Sequence, residues 1–449
     1  MQGVFCMIKN KLPLAAAAVM VMTLAGCGLF DKEKIQLDGE RIAVLQGITE
    51  LAPDYAPGEI KVTLPAPEDN SRWSQKGGNS EHLMGHLKAG DKLKEFWSSG
   101  FGTGSSKRDF LIASPVIAHK VVFAIDADGI VSAFRLDSGK KIWKRRLKPL
   151  NKDDKTSAMK GAGLAVYDRK VFATTGFGGV FALDMVSGKK VWAYFSDTPI
   201  RIAPTVNKGL LFVQTIENKL IALDPQTGKG IWNYKSEEEM TTLVGGASPA
   251  YNPNMDVVIA AFSTGELRAF KASTGTPLWS DYLISKRRTN SLANITAVKA
   301  SPVIDGERVF AIGHNNVLAA YDLRSGGRIW EKEIGSSNQP WVAGKYIFVL
   351  SNQFDLICLE KDSGKIVWNT NIPTGNDPEE RLGVFASGPL LASNRLLVAT
   401  SNGYIFSVSP YTGKILSYVS LSDGVELAPV LADEVIVFTT NDADLEAYK

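Results

Sequence analysis

Thiols are too few and too scattered in this chain to build a redox or metal centre. Cys6, Cys27 and Cys358 are the only three in 449 residues and form no CxxC pair, so neither a thiolate metal site nor a disulfide framework is expected. Only Cys358 lies in the part that reads as folded. Charge of neither sign dominates: the net charge of +3 gives no global attraction to nucleic acid. No GxSxG, P-loop or paired-carboxylate motif stands out. A single core is also excluded, because such cores stop growing at about 250–300 residues. The chain is therefore multidomain or repetitive.

The N-terminal stretch reads as an address. In "IKNKLPLAAAAVMVMTLAGC", Lys9 and Lys11 precede an apolar run from Leu14 to Leu24, and small residues follow. That order is a secretory signal peptide, and the run is too short to span a bilayer. Met7 is a candidate start, since the six residues before it add nothing to the pattern. "LAGC" resembles the lipobox of bacterial lipoproteins, in which the cysteine sulfur is acylated; this marks Cys27 as the lipidation site and residues 1–27 as the signal peptide. Gly28 would be the second mature residue, and its not being Asp favours the outer membrane by resemblance to the enteric sorting rule. Residues 28–70 are proline-broken and weakly periodic, as a tether is.

What the chain has in abundance is one phrase. "FALDMVSGKKVW" ends at Trp192 and "IALDPQTGKGIW" at Trp232; related phrases end at Trp143, Trp279, Trp330 and Trp368, and at Ser417 without the tryptophan. The spacing runs from 38 residues (Trp330 to Trp368) to 51 (Trp279 to Trp330). Small residues align at Ala133, Ala182, Ala222, Ala269, Ala320, Cys358, Ser407 and Ala447. Glycines align at Gly139, Gly188, Gly228, Gly275, Gly326, Gly364 and Gly413. A period of this length with strand-like chemistry predicts a β-propeller. Each unit reads as four strands, with two-residue hairpins expected at Asp128-Gly129, Thr264-Gly265, Asn315-Asn316 and Asn402-Gly403. The small column leaves room for neighbouring sheets, and the tryptophan on the outer strand covers the gap between blades. "LKEFWSSG", with Trp97, reads as a lone fourth strand that pairs with the C-terminal "LEAYK". The expected fold is thus all-β: an eight-bladed β-propeller over residues 71–449, closed by its N- and C-terminal strands.

The phrase and the opening "RWSQKGGNS" (Arg72 to Ser80) resemble the pyrroloquinoline-quinone dehydrogenases. That family implies an Asp base, calcium ligands and often a vicinal cysteine pair. Adjacent cysteines are missing here. Asp184, Asp224 and Asp322 recur blade by blade as structural residues do, and Lys271, Glu360 and Ser409 replace them elsewhere. No catalytic residue and no cofactor is expected. His82 and His86 stand four apart but lack the glutamate of a zinc protease, so they read as surface histidines on a loop. The basic clusters Lys140 to Lys148 and Lys286 to Arg288 read as solvated strand ends or a loop, or as contacts to an acidic partner or lipid headgroups.

Lipobox, tether, repeat and "LPAPEDNSRWSQKGGNSEHLMGHL" (Leu64 to Leu87) together resemble the BamB family of the outer-membrane β-barrel assembly complex, in its alphaproteobacterial form. The resemblance implies a non-enzymatic, lipid-anchored periplasmic scaffold. Its partner would be BamA, through the POTRA domains, and its clients outer-membrane proteins. Docking would use "MTTLVGGASP" (Met240 to Pro249) and "ANITAVKASP" (Ala293 to Pro302). The family's docking leucine matches Leu243. Its arginine falls on Val244, and two acidic positions fall on Ala297 and Lys299, so the charge logic departs from the enteric pattern. A quinone- and calcium-dependent dehydrogenase and a glycan-binding propeller remain as alternatives.

Overall fold

Each copy of the repeat folds into one four-stranded antiparallel sheet. The computed structural model describes residues 51–90, 92–107, 109–150, 160–237, 245–283, 297–314, 317–374 and 383–449. Its thirty-two strands make eight such sheets. The first seven blades cover residues 116–146, 161–195, 205–235, 250–282, 303–332, 341–371 and 386–420, each with its strands in chain order from the inside out. Blade eight takes its three inner strands from residues 430–448 and its outer strand from Glu95–Gly100. Trp97 faces Ala447 across that seam, so the expected closure is observed and no blade is left short of a strand. The inner strand of blade eight lies against that of blade one.

The aligned columns are explained by contacts between blades. All eight small residues are fully buried, and seven of them sit directly opposite a tryptophan in the ladder, as in Ala222↔Trp232 and Cys358↔Trp368. Each tryptophan then reaches into the next blade. Its indole N–H donates to a backbone carbonyl there: Trp97 to Leu136, Trp143 to Met185, Trp192 to Pro225, Trp232 to Ala272, Trp279 to Leu323, Trp330 to Lys361 and Trp368 to Pro410, at 2.7–3.1 Å. The aligned glycine of that next blade lies flat on the indole. At Gly275, where φ is +74°, a Cβ would stand 2.6 Å from Trp232 Cδ2. Glycine is required there twice over, by backbone and by space.

The missing eighth tryptophan follows from the seam. Ser417 on the outer strand of blade seven should reach the glycine turn of blade eight. Blade eight has none, because its outer strand comes from the other end of the chain. A tryptophan at 417 would have no glycine to lie on.

Tight turns occur, but not where expected. Asp128-Gly129 and Thr264-Gly265 end four-residue loops (126–129 and 262–265) and Asn402-Gly403 ends a three-residue one (401–403), each with only the glycine at positive φ, while Asn315-Asn316 lie outside the described residues. The two-residue loops with both residues at positive φ join the first and second strands: His119-Lys120, Asp168-Arg169, Lys208-Gly209, Ser393-Asn394 and Asp433-Glu434. Four of these five lack glycine, so residue type gave little signal.

Residues 51–55 lie along the outer edge of blade six. Asp54 N–H donates to Ile366 O at 2.8 Å, its carboxylate accepts from Ile366 N–H at 2.6 Å, and Asn369 donates to Leu51 O. Ile366 is buried there, whereas the outer strand of blade seven leaves Ile415, Leu416 and Tyr418 exposed.

Candidate functional site

Two ends of the inner strands offer surfaces, and a belt closes one of them. Residues 70–90 touch the inner part of every blade in turn. Trp73 exchanges two backbone hydrogen bonds with Ile117 of blade one, and Ser74 O accepts from Val166 of blade two. The Gln75 amide brackets Val206 of blade three, accepting from its N–H at 2.8 Å and donating to its C=O. Ser80 O accepts from Tyr251 of blade four, and Glu81 O from Ile304 of blade five. Trp341 of blade six donates to Gly85 O. Leu87 O accepts from Ser393 of blade seven, and Asn70 O from Asp433 of blade eight. Trp73 and Trp341 stack with centroids 6.2 Å apart, both buried. Eight blades are thereby tied by one strip of chain, which limits their freedom to splay.

His82 and His86 belong to this belt and are not on the surface; each is only 3% exposed. His82 Nδ1 bonds Pro302 O at 2.7 Å, while His86 bonds Pro65 O and accepts from Asn394 N–H. Burial pushes His82 down to about 4, despite its bond to Pro302, with nearby Lys76 adding to the shift. Two histidines in a glycine-flanked, aperiodic stretch look solvated in sequence; only contacts to remote blades bury them. The belt was visible in the sequence solely as a family likeness, since no local periodicity marks it.

The other end of the inner strands carries the loops that connect blades. Hydroxyls staple these loops across blade boundaries. The Ser248 hydroxyl donates to Ala203 O at 3.0 Å, Ser301 Oγ accepts from Ser248 N–H at 3.0 Å, and Thr205 donates to Pro249 O at 2.6 Å. Leu243 and Val244 lie outside the described residues. Ala297 is 3% exposed, so its side chain faces the interior. Lys299 is half-buried and lines a cleft with Ile202, Gln214, Gly245, Gly246 and Ala297. Burial pushes its ammonium down, and Glu426 opposes that only at a distance. From the belt, Lys76 reaches the same loop and donates to Gly246 O at 3.1 Å. Burial and then the charge of Lys299 bring Lys76 down to about 8.

The recurring carboxylates serve their own turns. Asp184 accepts from Ser187 N–H, Asp224 from Gln226 N–H and Asp322 from Ser325 N–H, at 2.6–2.7 Å. The Ser187 and Ser325 hydroxyls, which also donate to Asp184 and Asp322, hold these carboxyls below the usual range, and the backbone bonds add to the shift. Cys358 is fully buried and its thiol is pushed up by burial, which suits packing and not nucleophilic work. Among the described residues no three His, Cys, Asp or Glu side chains converge to hold a metal ion. The outer strand Lys141–Arg146 is largely exposed, as a solvated blade edge is; Lys286 to Arg288 lie outside the described residues.

A family model described as "Outer membrane protein assembly factor BamB" matches residues 112–370. Proteins of that name include one from Yersinia pestis, 23% identical over 438 residues and covering 97% of this chain and 98% of its own. Another, from Escherichia coli (strain K12), is 27% identical over 350 residues, covering 77% and 86%. Among solved structures, BamB from Moraxella catarrhalis superposes with a TM-score of 0.67 at 15% identity, over 80% of this chain and all of that one. The quinohemoprotein alcohol dehydrogenase of Comamonas testosteroni also superposes, with a TM-score of 0.63 at 13% identity, over 84% and 80%. At such identities the structural likeness speaks for the fold alone. The family model spans more than half of the sequence, and the chain belongs to the family of the outer membrane protein assembly factor BamB.

Proposed function

We propose that this chain is a non-enzymatic scaffold lipoprotein of the outer-membrane β-barrel assembly complex. Cys27 carries the lipid anchor after removal of residues 1–26, residues 28–70 form the tether, of which residues 51–55 lie along blade six, and the propeller of residues 71–449 stands on the periplasmic face of the outer membrane. It binds the POTRA domains of BamA and assists the folding and insertion of outer-membrane proteins. The observation that carries the reading is the kinship to a BamB relative along 97% of the chain, tether region included. The loop geometry supports it. Loops stapled from blade to blade present a rigid surface, which lowers the ordering cost of binding a partner. Docking is assigned to the loops of residues 240–249 and 293–302, with Leu243 as anchor, Val244 beside it and Lys299 supplying charge; Ala297 acts by packing the loop from within.

The test is a detergent pull-down from outer membranes with a C-terminally tagged chain. BamA should co-purify with the wild type and be lost with Leu243→Asp. Wild type that brings down no BamA refutes the scaffold reading. Equal recovery by the variant refutes the docking loop alone.

A further inference from the structure

Of the eight outer strands, one is strongly basic. Lys141–Arg146, on blade one, has four cations in six residues. The outer strands of blades four, six, seven and eight have none, and those of blades two and three have one each. Blade five has two, Arg328 and Lys332, both ion-paired. The repeat does not ask for this charge: the residue after the tryptophan is Lys144 here, but Ala193, Asn233, Ser280, Glu331 and Asn369 in blades two to six. Lys140 and Lys148 extend the strip at its two ends, and all six cations are exposed. Among the described residues the carboxylate that pairs with the strip is Asp128, 3.9 Å from Arg146 and held closer by Lys160, at 3.0 Å. Residues 140–160 hold nine Lys or Arg and only two Asp, too few to neutralise it, while the whole chain is only +3.

Apolar groups stand among these charges. Ile142, Val186 and Val191 are about half exposed and Leu150 is 77% exposed. Where the strip meets blade two, a groove of about 340 Å³ combines buried Leu147, Phe181 and Leu183 with exposed Arg145, Lys148 and Lys190. Cations interleaved with exposed aliphatic groups suit a phospholipid interface: the charged heads take phosphates while the aliphatic parts enter the acyl boundary. A six-residue strand is about 20 Å long, which matches a continuous anionic surface better than a single ion. The chain from Cys27 to Leu51 can extend to about 80 Å at most, so an anchor there does not choose which side of the propeller meets a bilayer. A basic edge makes that choice.

We propose that the outer edge of blade one, with the adjoining turn of blade two, is a contact site for an anionic phospholipid leaflet. The proposal rests on the anchor at Cys27 only for bringing the leaflet within reach.

Acetylation of the full mature chain on vesicles, read by mass spectrometry at Lys144 and Lys148, tests it. Exposed Lys414, beside the outer strand of blade seven, is the internal reference. On vesicles of phosphatidylcholine and phosphatidylglycerol in equal parts, labelling of Lys144 and Lys148 should fall about fivefold relative to phosphatidylcholine alone, with Lys414 unchanged. Sodium chloride at about 1 M, where screening acts within about 3 Å, should restore it. In the double variant Lys140→Glu, Lys144→Glu the protection of Lys148 should be lost. Equal labelling on both vesicles overturns the proposal. So does protection seen in intact outer membranes but not on anionic vesicles, which identifies an acidic protein as the occupant. A chain that fails to float with phosphatidylcholine vesicles lacks the anchor; its flotation with the anionic vesicles alone would still support the basic edge, and its failure there would overturn it.

Discussion

Alanine at Gly275 would carry a methyl group into the face of Trp232. Two penalties add. The backbone there has φ +74°, which costs an L-residue about 1–2 kcal/mol. The new Cβ would lie 2.6 Å from Trp232 Cδ2, and overpacking of that kind costs about 1–3 kcal/mol. The sum is a loss of about 2–5 kcal/mol. Gly209 separates the two terms, since its φ is +76° and nothing stands within 4 Å of its Cβ position. Gly209→Ala should therefore lose only the backbone share, about 1–2 kcal/mol. Trp232→Ala removes the obstacle, at its own cost of about 3–5 kcal/mol. In that background Gly275→Ala should become as mild as Gly209→Ala, a coupling of about 1–3 kcal/mol. Urea unfolding followed by circular dichroism measures all four variants without relying on tryptophan emission. If Gly275→Ala is no worse than Gly209→Ala, or if the double variant is simply additive, the indole–glycine contact does not hold the blades together.

The belt gives two further expectations. His82 has a folded-state value of about 4 against 6.5, so the unfolded chain binds the proton first as pH falls. Stability should be fully present above pH 6.5 and decline by about 3 kcal/mol on the way to pH 4, and His82→Asn should flatten that part of the pH–stability profile. A variant that keeps the full wild-type slope shows that His82 is not its source. Gln75→Ala leaves Val206 N–H without its buried acceptor and should cost about 1–3 kcal/mol, with faster hydrogen exchange at Val206. Unchanged exchange there would mean that the belt does not tie blade three.

Much of the architecture was legible because a propeller repeats its physics. A buried small residue, a turn glycine and an outer tryptophan recur wherever one blade meets the next, and a contact made seven times leaves seven marks in the sequence. The ends of the chain could be joined because Trp97 and "LEAYK" were the two halves of one unfinished copy.

The belt left no such mark. Its bonds join Asn70 to Leu431 and Gln75 to Val206, and nothing periodic in "RWSQKGGNS" announces partners 361 and 131 residues away. Local polarity made His82 and His86 look solvated, and tertiary contacts buried them. Hairpin chemistry misplaced the two-residue turns because sheet twist tolerated Asp-Arg and Asp-Glu where glycine was sought. The loss of tryptophan at Ser417 was plain in the sequence, but its cause was not: a side chain that packs on the next blade depends on what that blade contains, and at the seam the partner turn does not exist. The sequence by itself determined the repeat, the number of blades and where the ring closes, because those rest on near-neighbour patterns. Only the tertiary structure decided what lies across the ends of the inner strands, where residues from eight blades converge and long-range burial sets their charge.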